Sequence, residues 1–158
     1  EFDHISDLKI HTLIQSQEVP ISLSESWEFF SKPENLNEIT PPDLEFRITS
    51  GKPEPMHDGQ IVTYKIRVAP LIWNTWVTEI KGVIPEKQFI DEQRSGPYKF
   101  WHHLHEFEPT ENGTLIKDKV NYSLPFGLIG NIAHSIYVKK KLTEIFSYRK
   151  KILTERFG

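Results

Sequence analysis

Along the middle of the chain hydrophobic and polar side chains alternate with a period of two, and beyond residue 127 the period becomes helical. KIHTLIQSQE (9–18) alternates as a strand does. Ser24 is placed to cap a short helix, ESWEFFSK, with Trp27 and Phe30 on one side. Pro33 opens a second helical turn, PENLNEI, which TPP at 40–42 stops. LEFRITS (44–50) aligns Leu44, Phe46 and Ile48 on one face. GQIVTYKIRV (59–68) aligns Val62, Tyr64, Ile66 and Val68, with Thr63, Lys65 and Arg67 opposite. A turn at Ala69-Pro70 leads into LIWNTWVTEI (71–80), then KQFIDEQ (87–93) and YKFWHHLHEFE (98–108). Asn112-Gly113 predicts a hairpin into TLIKDKVNYSL (114–124).

From Leu128 to about Arg156 one amphipathic helix is predicted, its stripe carrying Ile129, Ile132, Ala133, Ile136, Leu142, Ile145, Phe146, Ile152 and Leu153. The class is α+β. Consecutive hairpins give a curved antiparallel sheet of about six or seven strands, two short helices follow the first strand, and the long C-terminal helix must lay its apolar stripe on the sheet.

The same alternation aims the histidines of GPYKFWHHLHEF (96–107). Trp101, His103, His105 and Phe107 fall on one face of their strand; Ile116, Val120, Tyr122 and Leu124 fall on the matching face of the next. With Asn112-Gly113 as a two-residue loop, Phe107 lies opposite Asp118, His105 opposite Val120, His103 opposite Tyr122 and Trp101 opposite Leu124. His103 and His105 therefore point under the helix with Asp118 beside them, and His102 and Lys99 point outward. An unpaired inward imidazole costs on the order of 1–3 kcal/mol. Either neighbours satisfy the two rings, or the space under the helix holds water or a ligand.

Composition narrows the function. The chain has 158 residues, enough for one domain (1–158) with a single substantial core. It begins Glu1-Phe2, and residues 1–8 are expected to be flexible or cloning-derived. Net charge is −3, so no general field draws nucleic acid or an anionic membrane. There is no Cys, which excludes thiolate ligands and fits a cytoplasmic location. No apolar run is long enough for stable membrane insertion. Aromatic content is 12%, enough to line a cavity as well as a core.

WEFFSKPENLNEITPP (27–42), DEQRSGPYKFWHHLHEF (91–107) and DKVNYSLPFG (118–127) resemble the START-like, SRPBCC superfamily, and within it the polyketide cyclase/dehydrase-like and coenzyme Q-binding-like branch. The resemblance runs from about residue 9 to 155. It implies a helix-grip fold, a curved sheet wrapped round the C-terminal helix with a hydrophobic cavity between them. Members include lipid carriers, quinone-binding proteins, plant hormone-binding proteins and aromatase/cyclases. It implies here a small hydrophobic ligand, lipid, isoprenoid/quinone or aromatic polyketide-like. The expected wall is Trp101, Phe107, Val120, Tyr122, Ile132 and Ile136, and the directional contacts are His103, His105 and Asp118.

Two other readings stand beside carriage. A cyclase or dehydratase would use His103 or His105 as acid/base, oriented by Asp118. A partner-binding module would have a filled core, and no particular protein partner is indicated. His103-x-His105 with Asp118 or Glu108 has metal-ligand spacing, and GPYKFWHHLHEFEPTENG imitates a cupin motif. The downstream region lacks the second histidine motif, so the expectation is no metal and no cofactor, with binding ranked ahead of catalysis. Of Trp73 and Trp76, on opposite faces of one strand, at most one can face a cavity. Asp91 to Gln93 and Glu79 fit either cavity or outer-face positions. Lys139-Lys140-Lys141 marks a solvated helix face, with membrane docking as its lesser use.

Overall fold

The structure, a computed structural model, describes residues 9–69, 71–127, 132 and 134–158. Its elements are β1 (His11–Val19), α1 (Leu23–Phe30), 3-10 turns at Pro33–Asn37 and Pro42–Leu44, β2 (Arg47–Ile48), β3 (Ile61–Ala69), β4 (Ile72–Ile84), β5 (Gln88–Ser95), β6 (Phe100–Thr110), β7 (Gly113–Ser123), a π-turn at His134–Val138 and α2 (Lys139–Phe157). The seven strands form one antiparallel sheet in the order β1-β7-β6-β5-β4-β3-β2.

Local chemistry differs from expectation at three places. The cap of α1 is Ser22, not Ser24: its hydroxyl accepts from the Glu25 amide while the Glu25 carboxylate accepts from the Ser22 amide, a closed capping box. The strand expected over 44–50 shrinks to Arg47–Ile48, because Pro42 sets a 3-10 turn through Leu44. Leu44 and Phe46 are nevertheless buried. The hairpin closes one residue early, on Glu111-Asn112, with Thr110 paired to Gly113. Gly113 is the first residue of β7, and the position requires glycine because a Cβ there would collide with the Val19 carbonyl oxygen. That contact holds β7 against the start of the β1–α1 connection.

The π-turn at 134–138 precedes α2, so the regular helix is shorter than the stripe suggested. Pro70 of the expected turn, the Val68 and Ala69 side chains, residues 128–131 and 133 of the expected helix start (Leu128, Ile129 and Ala133 among them), and the lead at 1–8 lie outside the described residues. Buried residues along α2 are Leu142, Phe146, Arg149 and Leu153, spaced for one face. Two hydrophobic clusters result. One gathers Phe29, Phe30, Phe89, Phe107, Ile116 and Leu153; the other gathers Trp76, Trp101, Val120, Tyr122, Leu142 and Phe146. Between them, where Arg149 interrupts the helix stripe, sits a group of charged and titratable side chains.

Candidate functional site

Three neighbouring strands, β5, β6 and β7, and one helix build this group. Alternation along β6 puts His103 and His105 on the inner face, where both are buried. Asp118 of β7 is directly opposite His105, and Val120 is opposite His103. The expected faces are correct, but each cross-strand partner is displaced by two residues: Phe107 meets Ile116 rather than Asp118, and Trp101 meets Tyr122 rather than Leu124. A slip of two preserves the face, which is why the inward direction survived the wrong loop.

The imidazoles of His103 and His105 stack with centroids 3.6 Å apart, and Phe89 covers the other side of His105 at 4.1 Å. His103 Nε2 lies 2.8 Å from Asp118 Oδ1, and its Nδ1 lies 3.3 Å from Asp91 Oδ2. His105 Nε2 lies 2.6 Å from the same Asp91 oxygen. Trp101 Nε1 donates to the other, Asp91 Oδ1, at 3.0 Å. Arg149 of α2 reaches Asp118 Oδ1 at 3.2 Å and lies over the rings of Phe30 and Phe146. Asp91 is on β5, paired with His103 across the sheet.

Electrostatics sort the protons. Burial disfavours an imidazolium at His103, but the charges and hydrogen bonds of Asp91 and Asp118 outweigh it and lift its pKa to about 9. Burial and the neighbouring His103 charge push His105 down to about 4, against the pull of both carboxylates. Burial would raise Asp91, yet His103 and then His105 hold it below the usual carboxylate range. Asp118 likewise resists its burial, held low by Arg149 and then the histidines. At neutral pH two carboxylates therefore face one guanidinium and one imidazolium, a closed charge balance with one neutral ring.

This polar group lines one wall of a cavity of about 420 Å³. Asp91, His103, His105 and Arg149 border it; the rest is largely apolar and aromatic, including Tyr64, Trp76, Tyr98, Trp101 and Phe146. A smaller space of about 60 Å³ lies beyond, also bordered by Asp91, His105 and Arg149. Trp76 is buried in the main cavity's wall, and its Nε1 donor has no hydrogen-bond partner among the described residues. Trp73, half exposed, lies beneath Arg47. Of the two tryptophans on β4, Trp76 is the one that faces the cavity.

The expected wall is only partly brought together. Trp101, His103 and His105 border the cavity. Val120 and Tyr122 pack behind it in the cluster shared with Trp101, and Phe107 belongs to the other cluster, near α1. Asp118 lies behind the histidines. Ile132 and Ile136 are corrected outright: they are 52% and 75% exposed, and neither borders the cavity. His102 pairs with Asn121 on the outer-face positions, and Glu79 pairs outside with Lys81 and Arg94. Sequence reasoning missed Arg149, although a cation in register with Leu142, Phe146 and Leu153 was a signal. Donor atoms of Asp91, His103 and His105 lie within 4.8 Å of one another, so these three, not Glu108, are the set that can hold a metal ion. A metal would have to displace the proton that His103 shares with the two carboxylates.

Solved structures share this architecture. TTHA0849 from Thermus thermophilus superposes with TM-score 0.65 at 16% identity, covering 93% of this chain and 97% of that one. Ginseng major latex-like protein 151 from Panax ginseng gives 0.66 at 13%, covering 94% and 98%. A nucleoside-diphosphate sugar epimerase from Corynebacterium glutamicum gives 0.64 at 23%; 90% of this chain is covered but only 28% of the epimerase. The fold is a helix grip. At such identities the likeness carries the fold alone. No protein-family model and no curated protein matches the chain. Among the described residues no helix is long and apolar enough to cross a membrane.

Proposed function

We propose that this protein binds and carries a small, mostly apolar ligand, lipid-like, isoprenoid or aromatic, in the 420 Å³ cavity between sheet and α2, as a START-like protein of the SRPBCC kind. The observation that carries this reading is the pairing of an aromatic cavity with a buried donor, Trp76 Nε1, that has no hydrogen-bond partner among the described residues. Burial of apolar ligand surface at about 25 cal/mol per Å² would drive uptake. Trp76 and the His103–Asp91 edge would orient a polar end. The volume supports carriage over a partner module with a filled core.

Carriage is also favoured over acid/base chemistry. Both nitrogens of His103 already face carboxylates. His105, held near 4, is a weak base at neutral pH, and Asp118 stands behind the rings rather than beside a substrate. The ligand class is tested by Nile red titration, with native mass spectrometry of protein purified from its host. Saturable one-to-one uptake is expected, and Ile66→Trp, which projects bulk into the cavity from β3, should abolish it. Uptake that never saturates, or that Ile66→Trp leaves unchanged, would refute the cavity as the binding site.

A further inference from the structure

The antiparallel order places three connections at one end of the sheet: β3 to β4, β5 to β6, and the segment following β7. The cavity's mouth lies at this end, since Ile66, Pro97, Tyr98, Pro125, Phe126 and Tyr137 all border it. The most exposed apolar side chains sit here too. Leu71 is 94% exposed and Phe126 81%, both held in left-handed backbone that bulky residues seldom adopt. Ile72, Ile132, Ile136 and Tyr137 are also exposed. So many exposed apolar residues at one end, with Phe126 and Tyr137 also bordering the cavity, are more than the scattered apolar residues of an ordinary surface.

Cations are frequent in the segments that reach this end. Segments 66–78, 93–105 and 119–143 contain no Asp or Glu, so all 22 acidic residues lie elsewhere. The same segments hold Arg67, Arg94, Lys99, Lys119 and Lys139 to Lys141. Lys99, Lys139 and Lys140 are exposed. Arg67, Arg94 and Lys141 are paired with Glu45, Glu79 and Asp43, so the exposed cations of this end that have no ion pair among the described residues include Lys99, Lys139 and Lys140.

From this we infer that the cavity-mouth end docks peripherally on an anionic lipid bilayer. Leu71, Phe126, Ile132 and Ile136 would enter the headgroup region, and Lys99, Lys139 and Lys140 would meet lipid phosphates and carboxylates. Exposed apolar tips together with exposed lysines in the same segments match an interface that is apolar within and anionic at its surface. A bilayer is favoured over a protein partner because Phe126 and Tyr137 are exposed and also border the cavity, so that an apolar ligand could pass between bilayer and cavity without crossing water. The docking geometry stands without the carriage reading; only its purpose rests on it.

The test is sedimentation of the full chain with vesicles of phosphatidylcholine alone and of phosphatidylcholine mixed with phosphatidylserine. Binding is expected to the mixed vesicles, weakening as salt rises. Lys139→Gln and Lys140→Gln should each weaken it about fivefold. Ile136→Asp should weaken it even at low salt, with circular dichroism unchanged because the residue is exposed. Equal partition to neutral vesicles, no binding to either, or insensitivity to all three variants would overturn the inference. So would a concentration-dependent dimer that Ile136→Asp abolishes, which would make this end a self-interface. Nile red uptake by the same preparations separates the readings: uptake without vesicle binding sinks only the docking.

Discussion

His103 and His105 stack 3.6 Å apart on adjacent inward positions of β6, yet one is cationic and the other neutral. The difference lies in their partners. His103 touches both carboxylates within 3.3 Å, whereas the Nδ1 of His105 stands 3.5 Å from Asp118 and makes no hydrogen bond. Two imidazoliums at this separation would repel each other in a buried site, so the better-partnered ring keeps the proton.

Stability should therefore peak near pH 6.5. His103 is raised from 6.5 to about 9, so its contribution is complete below 6.5 and is lost as pH rises through 9. His105 is lowered from 6.5 to about 4; its contribution is complete above 6.5 and is lost as pH falls through 4. Each limb has a slope of at most about 1.4 kcal/mol per pH unit. Urea unfolding from pH 4 to 9 measures it, and a flat profile across pH 6.5 to 9 would contradict the assignment to His103.

Removing Arg149 should cost far more than a surface arginine does. Arg149→Met leaves Asp118 with less compensation in a buried site, a loss on the order of 3–5 kcal/mol. Adding Asp118→Asn should recover part of it, because the orphaned charge disappears. A double-mutant cycle by chemical denaturation reads the coupling; simple additivity would mean the two groups do not interact.

Phe107 and Phe146 should separate stability from uptake. Phe107→Ala removes a ring from the cluster near α1 and should cost roughly 3–5 kcal/mol, with Nile red affinity unchanged in the folded protein. Phe146→Ala enlarges the cavity and should alter that affinity. Thermal melts paired with dye titrations check both, and a Phe107→Ala protein that folds but loses dye would place the site elsewhere.

Gly113→Ala should destabilise by roughly 1–3 kcal/mol, since the new methyl collides with the Val19 backbone and any relief opens the β7 edge. Gly51→Ala is the control: a Cβ there meets nothing within 4 Å, so a neutral result is expected. Equal melting temperatures for the two variants would refute the close packing at Gly113.

Alternation by itself determined the sheet, the helix that crosses it and the inward direction of Trp101, His103, His105 and Asp118. A period of two depends only on backbone geometry within a strand, so it is written locally. It could not determine the cross-strand partners, because Asn112-Gly113 looks like a turn until the Val19 backbone is brought against Gly113. Nor could it join Asp91 from β5 and Arg149 from α2 to the histidines; both looked equally at home in water. Only the closed sheet and the docked helix placed two anions and two cations within contact of one another beside an open space. That arrangement is a property of distance in three dimensions, where the low polarisability of the surroundings makes each charge demand its partner.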